Sequence, residues 1–429
     1  MMKRFLASLL CIAMLATLSM SALADEPKEL VMWSRSFEDF YNETIRQIVE
    51  EYNAANRGYK VRVEFIAEAA WNERMAAAQA GGNAPDFYTI SYNHIVTEAK
   101  NKAIQPLNGL VSDEKLADIT TAVRSMVSVG DVYYAFPLWT EPSALLYYRK
   151  DLLADANLEV PTTWEQLIDV ATKLNNNDRF GLAVMHGGDL GWASWGWQQG
   201  AAGHLAVNDN WDAATIDEGY RDLANFFVAL YDSGAVPEQG LSGYGDITPF
   251  ATDAVAMQIN GSWAVSTLIN DYPELEGKYG IAPCPTRDGN PDTCTATMGG
   301  WCLAIDGKAK SPEGAADFIS FMMCEDASRW GSYYEKCNFC RSACTNSIAA
   351  FVNEKSADAG YEWAATINQV AANAIAEPVY PWDISVSVAL MLENCYMHAL
   401  DVDTALEQCI NSINKVIADQ NLAGTNPNK

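Results

Sequence analysis

A strand, a helix and a second strand follow one another between residues 30 and 65, and this order constrains the fold most. Residues 30–33 (LVMW) have the composition of a short strand, and apolar residues then recur at helical spacing over residues 37–52. Apolar and polar residues alternate over residues 61–65, as in a half-buried strand. A helix that connects two such strands makes them parallel neighbours in one sheet. The chain is therefore predicted to be an α/β protein.

Later segments continue the alternation of strands and helices. Helix start signals are Ser36, Thr162 with Glu165, and Ser311 followed by Pro312. Further strands are predicted over residues 85–90, 145–148 and 254–259, and the last two helices over residues 384–398 and 404–419. No low-complexity tract or long linker separates these segments, so two lobes would be joined by short crossovers.

The composition excludes several classes of protein. Of the 429 residues, 49% are hydrophobic and 19% are charged, which is too apolar for a disordered chain. The chain carries 28 Lys and Arg against 55 Asp and Glu, a formal net charge of −27. Because such a surface repels phosphate backbones, no nucleic-acid partner is expected.

The N-terminus has the three parts of a secretory signal peptide. Lys3 and Arg4 form a basic start, an apolar run covers residues 5–20, and Ala22 and Ala24 precede the predicted cut. Residues 1–24 are therefore predicted to be removed. Since no later stretch has the ~18 uninterrupted apolar residues of a membrane span, we expect an exported protein of the periplasm or cell surface.

Nine cysteines remain after the predicted cleavage. Cys337, Cys340 and Cys344 form a C-x2-C-x3-C pattern, but no fourth ligand lies at a spacing typical of zinc or iron–sulfur sites. Disulfides and ordinary thiols both stay open for this loop, and Cys284 and Cys294 form a candidate pair. We expect no metal and no cofactor.

Motifs of common enzymes are missing from the sequence. There is no Gly-x-Ser-x-Gly, P-loop or His-Glu-x-x-His motif, and none of the four histidines lies four residues from another. The chain is therefore not expected to be an enzyme. A glycoside hydrolase stays open as the enzyme alternative, because paired carboxylates are recognised by their positions in space and not by spacing.

Tryptophans are frequent, and many lie in loops. Thirteen are present, three of them within the glycine-rich stretch 187–197 and others just past predicted strand ends or beside Gly or Pro. In open α/β sheets, ligands bind outside the carboxyl ends of the strands. Indole rings stack on the C–H faces of sugar rings, while acids and amides bind sugar hydroxyls. This pattern favours a carbohydrate-binding site, and large core residues are the alternative explanation.

Several segments, taken in order, resemble one known family over nearly the whole chain after the predicted signal peptide. They are GNAPD (82–86), GDVYYAFP (130–137), PTTWE (161–165), AMQINGSW (256–263) and GGW (299–301) followed by KSPEGAADFI (310–319). The chain resembles the extracellular solute-binding proteins of family 1. These are the carbohydrate-binding receptors of ABC importers, and the family includes maltose-binding protein.

The resemblance implies a two-lobed periplasmic-binding-protein fold of type II, with discontinuous lobes, a hinge and a ligand cleft between them. The N-terminal lobe would comprise residues 25–139 plus 296–341, and the C-terminal lobe residues 140–295 plus 342–429. It further implies a monomer that binds a small-molecule carbohydrate and delivers it to the permease subunits of an ABC transporter. A neutral mono- or oligosaccharide is expected. A non-sugar solute such as a polyamine is the alternative within the same fold.

The resemblance also implies ligand contacts at positions in this sequence. Trp263 and either Trp382 or Tyr380 would stack on sugar rings, and at most two of the three loop tryptophans would touch ligand. Glu141 would be an acidic ligand contact, and Asp86 would cap or support its loop. The full set of expected ligand-binding residues is Trp33, Ser34, Arg35, Glu68, Asp86, Tyr92, Asn93, Trp139, Glu141, Trp192, Trp195, Trp197, Trp263, Gly300, Trp301, Tyr380 and Trp382.

Overall fold

The computed structural model describes residues 27–357 and 360–427. The predicted signal peptide, residues 1–24, lies outside the described residues. None of the helices in these two ranges combines the length and apolar character that crossing a membrane requires.

The described strands form two larger sheets and one hairpin. The strand bounds are β1 Lys28–Arg35, β2 Tyr59–Ile66, β3 Phe87–Ser91, β4 Ser128–Val129, β5 Val132–Tyr133, β6 Phe136–Pro142, β7 Leu145–Arg149, β8 Phe180–Ala183, β9 Val255–Asn260, β10 Tyr279–Ala282, β11 Thr297–Ile305 and β12 Ile375–Ala376. The first sheet has the order β12-β11-β3-β1-β2, with β6 also paired to β11, and the second has the order β10-β7-β9-β8. The hairpin joins β4 and β5.

Helices cover the two sheets and fill the connections between strands. Short 3-10 turns lie at Tyr92–His94, Gly187–Asp189 and Pro273–Leu275. The α-helices are Asp39–Ala54, Glu68–Gly81, Ile95–Lys100, Asp113–Ala117, Thr121–Arg124, Lys150–Asp155, Trp164–Leu174, Leu190–Ala193, Trp195–Ala202, Glu218–Asp232, Thr248–Ala251, Ala264–Asp271, Pro312–Met323, Ala327–Lys336, Asn346–Ser356, Glu362–Asn373, Trp382–Tyr396 and Val402–Asp419. The predicted α/β class is confirmed.

The predicted βαβ start is confirmed, but two helix caps differ from the prediction. β1 and β2 pair in parallel from Lys28↔Tyr59 to Arg35↔Ile66. The first helix begins after Glu38, and Ser36 instead accepts a hydrogen bond from Asn42. Thr163, not Thr162, caps the helix Trp164–Leu174, because Gln166 lies at the third helical position and returns a hydrogen bond.

The chain crosses between the two larger sheets at residues 143–144 and again at residues 283–296. β6 pairs with β11 in the first sheet up to Pro142, and β7 begins in the second sheet at Leu145. The chain returns between β10 and β11, and β12 then pairs with β11. The predicted lobe boundaries at 139/140, 295/296 and 341/342 stay a prediction. Near the last of them, residues 342 and 345 still bridge to Thr140 and Ile119.

Gly300 lets β6 and β11 approach closely where the crossovers begin. Its φ is +142°, and a Cβ at this position would lie 2.1 Å from the Trp139 carbonyl oxygen. The pairing register shifts beside it, between Trp301 and Cys302. Only glycine therefore fits this position without displacing the β6 backbone.

We predict that Gly300→Ala destabilises the protein by about 3 kcal/mol, because it combines an unfavourable φ with overlap onto backbone. Urea denaturation followed by circular dichroism measures the change. Gly243→Ala is the matched control, since a Cβ there meets no atom within 4 Å. Equal stability of the two variants would contradict the role given to Gly300.

Candidate ligand-binding site

A cavity of about 870 Å³ lies between the first and second sheets. The residues that follow β1, β2, β3 and β9 all contribute to it, so it opens at the carboxyl ends of parallel strands. The loop and helix around Asp189 and Trp192 and the start of the helix at Trp382 close it from the second-sheet side. Side chains from both sheets therefore face one shared space.

Aromatic rings form walls on both sides of this cleft. On the second-sheet side, the Trp192 ring lies 6.2 Å from the rings of both Trp263 and Tyr244, centroid to centroid. Trp263 Nε1 donates to the Gly245 carbonyl at 3.0 Å, which fixes its ring. On the opposite side, Trp301 packs against Phe37 with ring centroids 5.0 Å apart. These rings offer apolar faces to a bound molecule.

Arg35 lies in the cleft with its charge already paired. Its Nε is 2.6 Å from Glu68 Oε2, and its guanidinium lies over the rings of Trp71 at 4.1 Å and Trp301 at 4.3 Å. Burial lowers the pKa of Arg35 to about 10, against the opposing effect of Glu68, so the side chain is charged at neutral pH. Arg35 therefore supports the Trp301 ring.

A second buried arginine joins three distant parts of the chain. Arg341 Nε donates to Glu141 Oε2 at 2.5 Å, and its Nη2 donates to Glu38 Oε1 at 2.6 Å. Trp139 Nε1 donates to the other Glu141 oxygen at 2.9 Å. The guanidinium also lies 4.9 Å from the centre of the Trp139 ring. Arg341 is thus neutralised by two carboxylates.

Glu377 contributes a buried carboxylate that has a different environment. Its residue is 6% exposed, and it accepts hydrogen bonds from Trp192 Nε1 at 2.9 Å and from the Asn93 backbone N–H at 2.8 Å. No Lys, Arg or His within the described residues forms an ion pair with it. Burial raises the pKa of Glu377 to about 7, opposed by the two hydrogen bonds and reinforced by Glu141.

The structure brings about half of the expected ligand-binding residues together in this cleft. Trp382 lies at its rim with 43% of its surface exposed, and its ring packs edge-on against Trp195. Whether these side chains touch ligand stays a prediction. The expected residues that line the cleft are Arg35, Glu68, Asn93, Glu141, Trp192, Trp263, Gly300, Trp301 and Trp382.

The other expected residues lie outside the cavity, and we propose no ligand contact for them. Asp86 precedes β3, so it lies at the opposite end of the first sheet, where it accepts from the Val31 N–H at 2.8 Å. Trp33 packs edge-on against Trp71, and Ser34 hydrogen-bonds the Tyr41 hydroxyl. Trp33 and Ser34 lie within β1 and point to opposite faces of the sheet, before the carboxyl end at which the cavity opens.

Five of the expected aromatic residues lie outside the cavity and are buried. Some of them hydrogen-bond to residues near the cavity, and the others pack in the core. Tyr92 donates to the Trp139 carbonyl, and Trp139 donates to Glu141. Trp195 donates to Ser385, and the Trp197 ring stacks with the rings of Phe226 and Trp164. Tyr380 is 7% exposed and packs on Trp211. Core packing therefore accounts for the presence of these five aromatic residues.

Several cleft residues escaped sequence analysis because their neighbours are distant in sequence. Arg341 lies 200 positions from Glu141, and no local pattern signals such a pair. Phe37 lies on the predicted apolar face of a helix, and no sequence pattern marks Glu377, which precedes Pro378. The unpredicted lining residues are Ser36, Phe37, Glu38, Asn72, Ser91, His94, Asp189, Tyr244, Gly245, Thr267, Arg341 and Glu377.

The cysteines contribute no crosslink in the described part of the chain. All nine of them there are free thiols, including the candidate pair Cys284 and Cys294. Cys337, Cys340 and Cys344 are buried in the loop beside Arg341. Within residues 27–357 and 360–427, no group of three or more His, Cys, Asp or Glu side chains is arranged to hold a metal ion.

A second cavity, of about 720 Å³, opens beside the edge strand β10. Aromatic residues Tyr148, Tyr279, Tyr361 and Trp363 line it. Among its described lining residues, no buried charged groups cluster as they do around Arg341 and Glu377. The cleft between the sheets is therefore the candidate ligand-binding site.

The comparison with protein families agrees with this geometry. A family model described as bacterial extracellular solute-binding protein matches residues 41–327. The chain belongs to this family.

Known proteins of similar sequence and fold are also solute-binding proteins. The chain is 25% identical over 244 residues to the mannitol-binding protein of Pseudomonas aeruginosa, covering 55% of each chain, so the match spans about half of that relative's length. A Thermotoga lettingae solute-binding protein bound with α-D-tagatose has a TM-score of 0.75, 22% identity, and coverage of 91% of this chain and 100% of that one. The maltose/maltodextrin-binding domain of Bdellovibrio bacteriovorus, bound to maltotriose, also has a TM-score of 0.75, with 16% identity and coverage of 91% and 100%. The predicted two-lobed periplasmic-binding-protein fold is confirmed.

We predict that Arg341→Met lowers the free energy of unfolding by about 3–5 kcal/mol, because it leaves Glu38 and Glu141 as unpaired carboxylates in a buried site. The control is Arg62→Met, whose side chain is 52% exposed and pairs with Glu29 and Glu64. That change is expected to cost under about 1 kcal/mol. Urea denaturation compares the two, and equal losses would contradict the structural role of Arg341.

We predict that Glu377→Gln changes how stability depends on pH. The pKa of Glu377 is about 7 in the folded protein against a reference of 4.5. The stabilisation that the protonated Glu377 side chain gives the folded protein is therefore fully present below pH 4.5 and is lost as pH rises through 7. Glutamine does not ionise and avoids this loss. The stability of the variant relative to the wild type should therefore rise by about 3 kcal/mol between pH 4.5 and 8.5.

Urea denaturation at several pH values measures this difference. Glu407→Gln, at an exposed position on the helix Val402–Asp419, is the matched control and should show no such trend. Parallel stability curves for Glu377→Gln and the wild type would contradict the buried, unpaired state of this carboxylate.

Proposed function

We propose that this protein is the exported receptor of an ABC importer and binds a neutral mono- or oligosaccharide, or a related polyol, in the cleft. The observation that carries the proposal is the placement of tryptophan rings from both sheets around one cavity that also contains carboxylates. Sugars present apolar C–H faces and hydroxyl groups, which match these two kinds of surface. Relatives that bind mannitol, tagatose and maltotriose support this ligand class.

The charges in the cleft support a neutral ligand. Arg35 is paired with Glu68, and Arg341 is paired with Glu38 and Glu141. Neither arginine has a free charge for a phosphorylated or acidic sugar. The carboxylates can accept hydrogen bonds from sugar hydroxyl groups. A sugar that lacks a matching hydroxyl leaves one buried acceptor without a partner and binds more weakly by ~1–3 kcal/mol, so the cleft discriminates between sugars.

Ligand capture follows from a two-lobed arrangement. A molecule in the cleft touches Trp301 on one side and Trp192 and Trp263 on the other only when the lobes are closed, so it favours the closed state. The crossovers at residues 143–144 and 283–296 would act as the hinge. In this proposal the closed monomer docks on the permease, and no bond in the ligand is made or broken.

The polyamine alternative takes its support from Asp189 and Glu377, which line the cleft without a cationic partner among the described residues. Amines also stack on aromatic rings. A fluorescence titration with mannitol, maltose, maltotriose and putrescine separates the two ligand classes. Saturable changes with sugars or polyols and no product on chromatography support the proposal. Saturation by putrescine alone, or turnover of an oligosaccharide, would overturn it.

We predict that Trp263→Ala lowers the affinity for the bound carbohydrate at least about tenfold, because it removes a stacking face from the cleft. Its melting temperature should stay within a few degrees of the wild type, since the ring is partly exposed. Isothermal titration calorimetry measures the affinity. Trp363→Ala, outside the cleft, is the control, and unchanged affinity in Trp263→Ala would refute the stacking assignment.

A further inference from the structure

Glu377 connects the two sides of the cleft through one carboxylate. Oε1 accepts from the Trp192 indole at 2.9 Å, on the second-sheet side. Oε2 accepts from the backbone N–H of Asn93, directly after β3 of the first sheet, at 2.8 Å. Gly299 on β11 leaves room for this contact, since a Cβ at that position would lie 2.7 Å from Glu377 Oε1 and 3.1 Å from the Trp192 ring.

The groups around Glu377 provide no positive charge that pairs with its carboxylate in the described part of the chain. Glu141 on β6 disfavours its ionised form, and the Cys302 thiol on β11 is buried on the same side. His94, Asp189 and Arg341 line the same cavity, but Arg341 is already paired with Glu38 and Glu141. Burial lowers the pKa of His94, with Arg35 adding to the effect, and both favour the neutral imidazole.

We propose that Glu377 holds the Trp192 ring across the cleft and also binds ligand hydroxyls directly, so that a polyhydroxyl ligand binds with release of the Glu377 proton. The proposal rests on the proposed function for its ligand class. An ionised carboxylate has about four acceptor positions, of which Trp192 and Asn93 occupy two. Ligand hydroxyls that donate to the remaining positions stabilise the ionised form, because hydrogen bonds to a charged acceptor are stronger than neutral ones.

The direction of the pH effect follows from this coupling. The pKa of Glu377 is about 7 without ligand, and added donors lower it in the complex. The free protein then holds a proton below pH 7 that the complex does not hold. Affinity should therefore rise by at least about fivefold between pH 6 and pH 8 if the bound pKa is lower by 1.5 or more.

The first experiment needs no ligand. Protein labelled with 15N-tryptophan gives an indole N–H resonance for each ring, and the Trp192 signal is assigned by its loss in Trp192→Phe. We expect this resonance to titrate with a midpoint near pH 7 in the wild type and in the Glu407→Gln control, and not to titrate in Glu377→Gln. A Trp192 signal that is constant from pH 5 to pH 9 in the wild type would overturn the proposal.

The second experiment measures the proton directly. Mannitol, maltose and maltotriose are titrated by calorimetry at pH 6.5 in two buffers of different ionisation enthalpy. For a ligand that binds, we expect release of a large fraction of one proton by the wild type and by Glu407→Gln, and none by Glu377→Gln. Glu377→Gln should also bind with an affinity that does not change between pH 6 and pH 8.

The outcomes separate this inference from the proposed function. Binding without proton release, or with proton uptake, overturns the inference and leaves the receptor function standing. If no sugar or polyol gives heat, the proposed function fails, and the link between Glu377 and ligand fails with it. If Glu377 had only a structural role, Glu377→Gln would lower the ligand affinity by the same factor at every pH. That result would also refute the coupling between ligand binding and the Glu377 proton.

Discussion

The ion pairs of Arg341 with Glu38 and Glu141 hold together the part of the molecule on which the cleft depends. The three residues come from the start of the first helix, from β6 and from the loop after the helix Ala327–Lys336. Trp139 adds a hydrogen bond to Glu141. Two carboxylates and one guanidinium satisfy one another where none could be buried alone. The first-sheet wall of the cleft is thereby fixed before any ligand enters.

The sequence was sufficient for the fold because the signals for it are local. The βαβ start, the Ser311-Pro312 helix start and the two C-terminal helices each depend on neighbouring residues. The ordered set of segments from residue 82 to residue 319 then identified the family and its two-lobed fold. Two of the predicted helix caps were wrong. Thr162 and Thr163 differ only in which one has Gln166 three residues later.

The cleft could be predicted only in part, because its geometry depends on long-range pairing. A tryptophan in a loop carries the same local signal whether it lines a cavity or packs in the core. Trp192 and Trp197 lie in one glycine-rich stretch, yet Trp192 faces the cleft and Trp197 stacks on Trp164. Glu377 and Arg341 gain their roles from partners that are far away in sequence. Only the folded chain brings these groups together.

The glycine pair at residues 299 and 300 has a consequence for how ligand preference can diverge. Side chains at these two positions would collide with the Glu377 carboxylate and with the β6 backbone. This stretch of β11 is therefore closed to variation, and new ligand preferences have to arise from the surrounding loops. Protein engineers who wish to redirect the receptor to another solute should randomise positions such as Asn72, Asp189 and Thr267 and keep the two glycines.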